Sequence, residues 1–227
     1  MQAERMTEPI TGGPAIARQL WVVACAPLVV VPIAQLALDE SVARWAHARE
    51  LVSSAFLQWS TELGESTYWL VPAAVLFVIC ATLRQHNRAR WAFFMFVAVG
   101  GSGLLANLLK FTIGKARPKL LLAEEYFGFK PFTLGYDFNS MPSGHATTCG
   151  AVAMVFAIAF PRWRWLFLLL GVALASTRIA IHAHYLSDVA AGLSLGMVFA
   201  LISITVWRHR WPTSVPVAAL SFSKNIV

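Results

Sequence analysis

Three cations and a Ser-Gly pair stand out in an otherwise apolar sequence. Lys110, Arg117 and Arg178 lie at or near the ends of apolar runs, and a guanidinium group binds two phosphate oxygens at once. Ser143-Gly144 directly precedes another apolar run, where the free N–H groups and the dipole of a helix N-terminus favour an anion. These groups together predict a phosphate-binding pocket.

Two histidines and an aspartate supply the groups for a reaction at that phosphate. His184 and Asp188 are four residues apart, so they share one face if this segment is helical. A carboxylate bonded to one imidazole nitrogen makes the other nitrogen a better nucleophile. His145 follows Gly144 and is placed to protonate a departing oxygen. The pattern predicts phosphoryl transfer, with the cations stabilising the transferring group.

A metal ion is not expected in this pocket. No pair of Asp or Glu residues at metal-ligand spacing accompanies the histidines, and three neighbouring cations repel a metal. The sequence therefore predicts chemistry that uses no metal and no other cofactor.

The composition places these groups in a membrane protein. Of 227 residues, 58% are hydrophobic and 13% are charged, against roughly 45–50% and 25% in soluble domains. Such a composition excludes a disordered chain, a coiled coil and a disulfide-stapled secreted module. The net charge of +7 is divided among small clusters between apolar runs, which is typical of membrane topology, so no nucleic-acid partner is expected.

Six apolar runs approach the length of about 20 residues that a bilayer-spanning helix needs. They predict an all-α fold, a polytopic membrane protein whose six transmembrane helices form a domain at residues 20–207, between end segments at 1–19 and 208–227. The first run continues well past Cys25, which favours an uncleaved span over a cleaved signal. The six runs are Leu20–Leu38, Thr67–Leu83, Trp91–Leu109, Ala146–Phe160, Trp165–Ile181 and Val189–Trp207.

The distribution of Lys and Arg predicts the orientation. Ten basic residues lie in the two end segments and in the loops after spans two and four, and basic residues favour the cytoplasmic side. The termini are therefore expected in the cytoplasm. The active site is expected at the outer ends of helices 3–6. The ten residues are Arg5, Arg18, Arg84, Arg88, Arg90, Arg162, Arg164, Arg208, Arg210 and Lys224.

Two outer segments are predicted to lie at the membrane surface. Residues 44–60 place apolar side chains at three- and four-residue spacing, the pattern of an amphipathic helix. Residues 114–141 form a loop rich in Tyr and Phe, which suit the headgroup level of a bilayer. Anchoring in the membrane is the favoured interpretation, and specific contact with substrate is the alternative.

The motifs resemble the three-part signature of the type 2 phosphatidic acid phosphatase superfamily, which includes the vanadium haloperoxidases. The first part is Lys110, six residues and Arg117-Pro118; the second is Pro142-Ser143-Gly144-His145. The third is Arg178, five residues, His184, three residues and Asp188, with Thr177 where the family usually has Ser. With the six-span layout, the resemblance covers most of the chain.

The resemblance implies a role for each matching residue. Lys110, Arg117, Ser143, Gly144 and Arg178 would hold the phosphate. His184 would form a phosphohistidine with help from Asp188, His145 would be the general acid, and water would hydrolyse the intermediate. His182, Lys115 and Lys119 match no position of the signature. We interpret His182 as structural, and the two lysines as attracting anionic headgroups or as solvated.

The resemblance also indicates the substrate. The haloperoxidase branch is soluble, so the apolar spans favour an enzyme that removes the phosphate or diphosphate of a lipid headgroup. The candidates are phosphatidic acid, phosphatidylglycerol phosphate, undecaprenyl diphosphate and lipid A, and the short chain with minimal loops favours the three bacterial lipids. A bacterial enzyme of this kind is expected in the inner membrane, with its active site facing the periplasm. Transfer of the phosphoryl group to another lipid is one alternative. The other is a lipid-phosphate binding or transport protein without turnover.

Overall fold

The computed structural model describes residues 14–49 and 61–210. These residues form α-helices joined by loops, a short π-helical turn and two single-turn 3₁₀ helices, and their only β pairing is one isolated bridge between Lys115 and Phe129. The all-α prediction is confirmed. The helices are α1 (Pro14–Ile33), the π turn (Ala34–Leu38), α2 (Asp39–Ala48), α3 (Thr67–Thr82), α4 (His86–Ile113), α5 (Pro118–Glu124), α6 (Gly144–Ala159), α7 (Arg164–Ala180) and α8 (Leu186–Arg210).

Each predicted span coincides with an apolar helix. Within the described ranges, four helical stretches have the length and composition to cross a membrane: Ala17–Ala48, His86–Ile113, Pro161–Ala180 and Leu186–Trp207. Two apolar helices are shorter, Thr67–Thr82 and Gly144–Ala159. The membrane character of the chain is supported, and the count of six spans stays a prediction.

The first helical stretch is longer than its predicted span. It continues from α1 through the π turn into α2, which ends at Ala48. Residues 44–49 of the predicted amphipathic segment therefore belong to α2 and the turn after it, with Trp45 exposed. The remainder of that segment, 50–60, lies outside the described residues.

Helix α6 lies at the centre of the bundle, and nearly all of its residues are buried. It packs closely on α8, since a Cβ atom at Gly196 would overlap the carbonyl oxygen of Thr147. On its other side, a Cβ atom at Gly171 of α7 would lie 2.6 Å from Cβ of Ala153. Small residues allow helix backbones to approach this closely in membranes. A helix enclosed by protein faces little lipid, so α6 functions as a buried core despite its short length.

The surface of the bundle is apolar where helices α3, α4 and α7 face outward. Large side chains that would be buried in a soluble domain are exposed here, as expected for contact with lipid chains. They include Val71, Val75, Leu76, Val78 and Ile79 of α3, Leu104 and Leu108 of α4, and Leu166, Leu169 and Leu170 of α7.

The predicted outer loop at 114–141 is an ordered structure. Gly114 ends α4 with a φ of 61°, a conformation that glycine adopts without strain. The loop then folds back on itself, because Lys130 donates its N–H to the carbonyl of Gly114 and Ser140 donates to that of Lys115. Several of its aromatic rings are exposed, namely Tyr126, Phe129, Phe132 and Tyr136. This folding brings both ends of the loop to the beginning of α6.

Candidate active site

The three predicted motifs meet at one end of the bundle. Lys110 is in the last turn of α4, Arg117 is the N-cap of α5, and Ser143 is the N-cap of α6. Arg178 is in the last turn of α7. The Ser143 N–H donates to the backbone carbonyl of Asp188 at 3.0 Å, which joins the Ser-Gly turn directly to the first turn of α8.

His184 and Asp188 form a buried pair at the start of α8. His184 is 4% exposed and Asp188 is fully enclosed. Nδ1 of His184 lies 3.6 Å from Oδ2 of Asp188, so the carboxylate faces that side of the ring. The same Oδ2 accepts the N–H of Tyr185 at 2.9 Å, as in a capping box, where the third helical residue reaches back to the N-cap N–H. The helix start therefore fixes the carboxylate beside the imidazole.

Ser140 is a member of this group that the sequence motifs do not include. Its hydroxyl donates to Oδ2 of Asp188 and lies 3.5 Å from Nδ1 of His184. It is completely buried. Because Ser140 precedes the Pro-Ser-Gly-His motif by only two residues, its closeness to that motif was the one signal in the sequence.

Arg117 lies on the other side of the His184 ring. Its Nη1 is 3.5 Å from Nε2 of His184. The guanidinium donates to the carbonyl oxygens of Ala183 and Tyr136, both at 2.9 Å, and its central carbon lies 3.9 Å from the centre of the Tyr136 ring. These contacts hold a cation beside Nε2 of His184, the ring nitrogen on the side away from Asp188.

The helix N-terminus and Lys110 complete this side of the pocket. Ser143 caps α6 by accepting the N–H of Ala146. A Cβ atom at Gly144 would lie 3.6 Å from Nζ of Lys110, so the ammonium group occupies the space beside the glycine. A helix N-terminus and an ammonium group that face the same space make a site for an anion.

His145 is buried against the segment that leads into α3. A Cβ atom at Gly64 would overlap its Nε2 atom, and its Nδ1 lies 3.9 Å from Oε1 of Glu65. Neither ring nitrogen has a hydrogen-bond partner among the described residues. His145 therefore has a donor available at the pocket and a carboxylate nearby. Glu65 and Gly64 are distant from every motif in sequence, and no pattern identified them.

Arg178 is held by a contact from the same segment. Its Nη1 donates to Oγ1 of Thr61 at 2.8 Å, and its Nε has no hydrogen-bond partner among the described residues. The third predicted cation is thus partly free to bind a ligand.

The pKa of the His184 imidazole is lowered from 6.5 to about 4. Desolvation by burial is the main cause, the neighbouring cations Arg117 and Lys110 add to it, and the Asp188 carboxylate opposes it. His184 is therefore neutral at pH 7, the state that a nucleophilic nitrogen requires.

The structure corrects one interpretation of Lys115. This side chain is 1% exposed and lies 2.7 Å from Asp39 and 3.0 Å from Asp188. It is neither solvated nor available to a headgroup, because the loop folds its side chain inward toward α8. Lys119, by contrast, is exposed.

His182 does not join the site. It has a φ of 56°, and its ring packs edge-on against the ring of His47 at 5.3 Å. The contact supports a structural role. Within residues 14–49 and 61–210, no group of three or more His, Cys, Asp or Glu side chains is arranged to hold a metal ion. Metal-free chemistry stays a prediction.

Comparison with known proteins identifies relatives of the chain. It is 39% identical over 161 residues to the lipid A 1-phosphatase of Rhizobium johnstonii, an alignment that covers 66% of each protein, just under two thirds of that relative's length. It is 22% identical over 147 residues to the undecaprenyl-diphosphatase of Sulfolobus acidocaldarius, covering 64% of this chain and 66% of the relative.

A solved structure and a family model agree with these relatives. The transmembrane PAP2-type phosphatidylglycerolphosphate phosphatase of Bacillus subtilis matches with a TM-score of 0.57 at 20% identity, covering 83% of this chain and 97% of the other, which shows a shared fold. The model of the PAP2 superfamily matches residues 91–212, a range that contains all three motifs. The predicted family is confirmed: the chain belongs to the PAP2 superfamily.

Proposed function

We propose that this protein is a membrane phosphatase that removes phosphate from a lipid headgroup through a phosphohistidine intermediate. The observation that supports it most is the position of His184 between Asp188 and Arg117. Asp188 faces one ring nitrogen at 3.6 Å, and the cation lies 3.5 Å from the other. A nucleophile with a carboxylate behind it and a cation in front is arranged for attack on a phosphate.

In the first step, Nε2 of the neutral His184 attacks phosphorus. The bond from phosphorus to the lipid oxygen breaks, and His145, which enters this step as an imidazolium stabilised by the bound phosphate, gives its proton to that oxygen. Lys110, Arg117, Arg178, the Ser143 hydroxyl and the N–H of Gly144 bind the three oxygens of the transferring group. These charges are fixed before the substrate arrives, which makes their stabilisation of the transition state effective.

In the second step, water attacks the phosphohistidine. His145, now neutral, takes a proton from the water, the phosphorus–nitrogen bond breaks, and inorganic phosphate leaves. His184 and His145 thereby return to their starting states. The mechanism uses no metal or cofactor.

Lipid A is the first candidate substrate, because the relative at 39% identity is named a lipid A 1-phosphatase. Undecaprenyl diphosphate and phosphatidylglycerol phosphate come next, since other relatives carry those names. We place the protein in a bacterial inner membrane, with both termini in the cytoplasm and the pocket facing the periplasm.

Phosphate release from these lipids by detergent-solubilised protein in EDTA tests the proposal. Wild type should release phosphate, and His184→Ala should abolish both release and the acid-labile phosphoryl label on the enzyme. Strict dependence on a divalent metal, or full activity of His184→Ala, would contradict the mechanism. Appearance of the phosphoryl group on a second lipid would identify a transferase, and lipid binding without turnover would identify a carrier.

The orientation has its own test. A cysteine introduced at Glu62 should react with a membrane-impermeant thiol reagent in intact spheroplasts, in a background where Cys25, Cys80 and Cys149 are replaced. Labelling only after lysis would invert the proposed topology.

A further inference from the structure

A buried charged cluster lies directly behind the His184–Asp188 pair. Its members come from three separate parts of the chain: Asp39 at the start of α2, Lys115 in the loop after α4, and Ser187 and Asp188 in the first turn of α8. Each is at most 1% exposed. The signature of the family resemblance includes only Asp188.

Lys115 is the centre of this cluster. Its ammonium nitrogen lies 2.6 Å from Oγ of Ser187, 2.7 Å from Oδ2 of Asp39 and 3.0 Å from Oδ1 of Asp188. Two of these contacts are hydrogen bonds, to Ser187 and Asp39, and the third is an ion pair with Asp188. Oxygens of the protein surround the ammonium group, and the side chain is 1% exposed, so Lys115 contacts the protein rather than a ligand.

Asp39 fixes the lysine and also the beginning of α8. Its Oδ1 accepts the N–H of Ser187 at 3.0 Å, and its Oδ2 accepts the Ser187 hydroxyl at 2.5 Å. The first N–H groups of a helix need such acceptors. The first helical stretch therefore holds the turn that carries Asp188.

The two oxygens of Asp188 have different partners. Oδ2 faces His184, Ser140 and the Tyr185 N–H, whereas Oδ1 faces Lys115. Without the lysine, Asp39 and Asp188 would be two buried carboxylates with no cation between them, and such a pair takes up a proton or moves apart. Either change would remove the carboxylate from the His184 ring.

We propose that Lys115, held in place by Asp39, is a positioning residue that keeps Asp188 ionised and oriented toward His184. The inference rests on the proposed phosphatase function. The first helical stretch contains no residue of the three motifs, and this inference gives it a role in the reaction through Asp39.

Four variants test this role in the phosphate-release assay: Lys115→Met, Asp39→Asn, the double variant, and Lys119→Met as a control on an exposed lysine. Lys115→Met should lower kcat about 10²-fold, the scale of a small misplacement of a reacting group. KM should change less than about twofold, because Lys115 does not face the phosphate. Lys119→Met should behave as wild type.

The double variant distinguishes an effect of the lysine charge on Asp188 from the mere loss of a structural contact. Asp39→Asn removes the second carboxylate, so combining it with Lys115→Met leaves Asp188 free of a charged neighbour in the cluster. The kcat of the double variant should exceed that of Lys115→Met by about tenfold, a non-additive result for groups in contact. Lys115→Arg, which keeps the charge, should also exceed Lys115→Met.

Thermal unfolding in detergent confirms that each variant is folded. If Lys115→Met does not fold, the double variant is compared with Asp39→Asn, and the proposal requires the lower kcat in the double variant. A raised KM with kcat unchanged, a Lys115→Met variant equal to Lys119→Met, or a double variant as slow as the single would overturn the inference. Absence of phosphate release by wild type would instead overturn the proposed function, and the inference with it.

Discussion

The ring of His145 rests directly on Gly64, with no room for a side chain between them. A Cβ atom at position 64 would overlap Nε2 of the imidazole. Gly64 belongs to the short segment before α3, which also provides Thr61 to Arg178 and Glu65 to His145. One segment outside every motif thus contacts both the proposed acid and one of the proposed phosphate ligands.

Gly64→Ala is expected to displace His145 and to lower kcat about 10²-fold, because proton transfer depends on the position of the acid. The loss should be smaller with an aryl phosphate, whose leaving group departs without a proton. Gly103→Ala is the matched control, since a Cβ atom there meets nothing within 4 Å. Equal losses for alkyl and aryl phosphates would argue against His145 as the acid.

Ser140→Ala tests the hydroxyl that donates to Asp188. Removal of one donor to a buried carboxylate should loosen its orientation and lower kcat about tenfold, the free-energy equivalent of about 1.4 kcal/mol. KM should stay the same, because Ser140 lies behind the His184 ring. Ser176→Ala is the control, since the one hydrogen bond of the Ser176 hydroxyl within residues 14–49 and 61–210 is to the carbonyl of Val172 in its own helix. A Ser140→Ala variant that turns over like Ser176→Ala would exclude the role.

The sequence predicted the helical fold and the meeting of the motifs because both have local signals. Apolar runs indicate where the helices lie. Short motifs such as Pro142-Ser143-Gly144-His145 contain several functional groups within a few residues. The three motifs lie at the ends of helices, and these helix ends meet at one face of the bundle.

Contacts between distant segments have no such signal. Lys115 looked like an ordinary loop lysine, since nothing in its neighbours indicates that the chain folds it onto Asp39, 76 residues away. The contact of Gly64 with His145 spans a similar distance along the chain. Which side chains meet across the bundle depends on how the helices pack, and no local pattern in a single sequence indicates those contacts.

The lowered pKa of His184 predicts its response to acid. The ring should stay neutral from pH 7 down to about pH 4 and then take up a proton. Because an unfolded histidine titrates near 6.5, the unfolded state binds more protons between those values. The stability that depends on neutral His184 is therefore complete above about pH 6.5 and is lost as the pH falls toward 4.

NMR of isotope-labelled histidine side chains in detergent measures this titration directly. The signal that disappears in His184→Asn is the one to follow. A midpoint at or above 6.5 would contradict the dominance of burial over the attraction of Asp188.

Gly196→Ala tests the close packing of α6 and α8, which supports the whole site. A Cβ atom at position 196 would overlap the carbonyl oxygen of Thr147, so the helices must separate or shift. Overpacking of this kind typically costs about 1–3 kcal/mol. The midpoint of thermal unfolding in detergent should fall.

Gly100→Ala is the control for Gly196→Ala, because a Cβ atom at position 100 would lie 3.5 Å from the Leu70 side chain, an ordinary contact. Since α8 carries Asp188 in its first turn and His184 lies just before that turn, Gly196→Ala should also lower kcat. A variant as stable and active as Gly100→Ala would show that the two helices do not need this close approach.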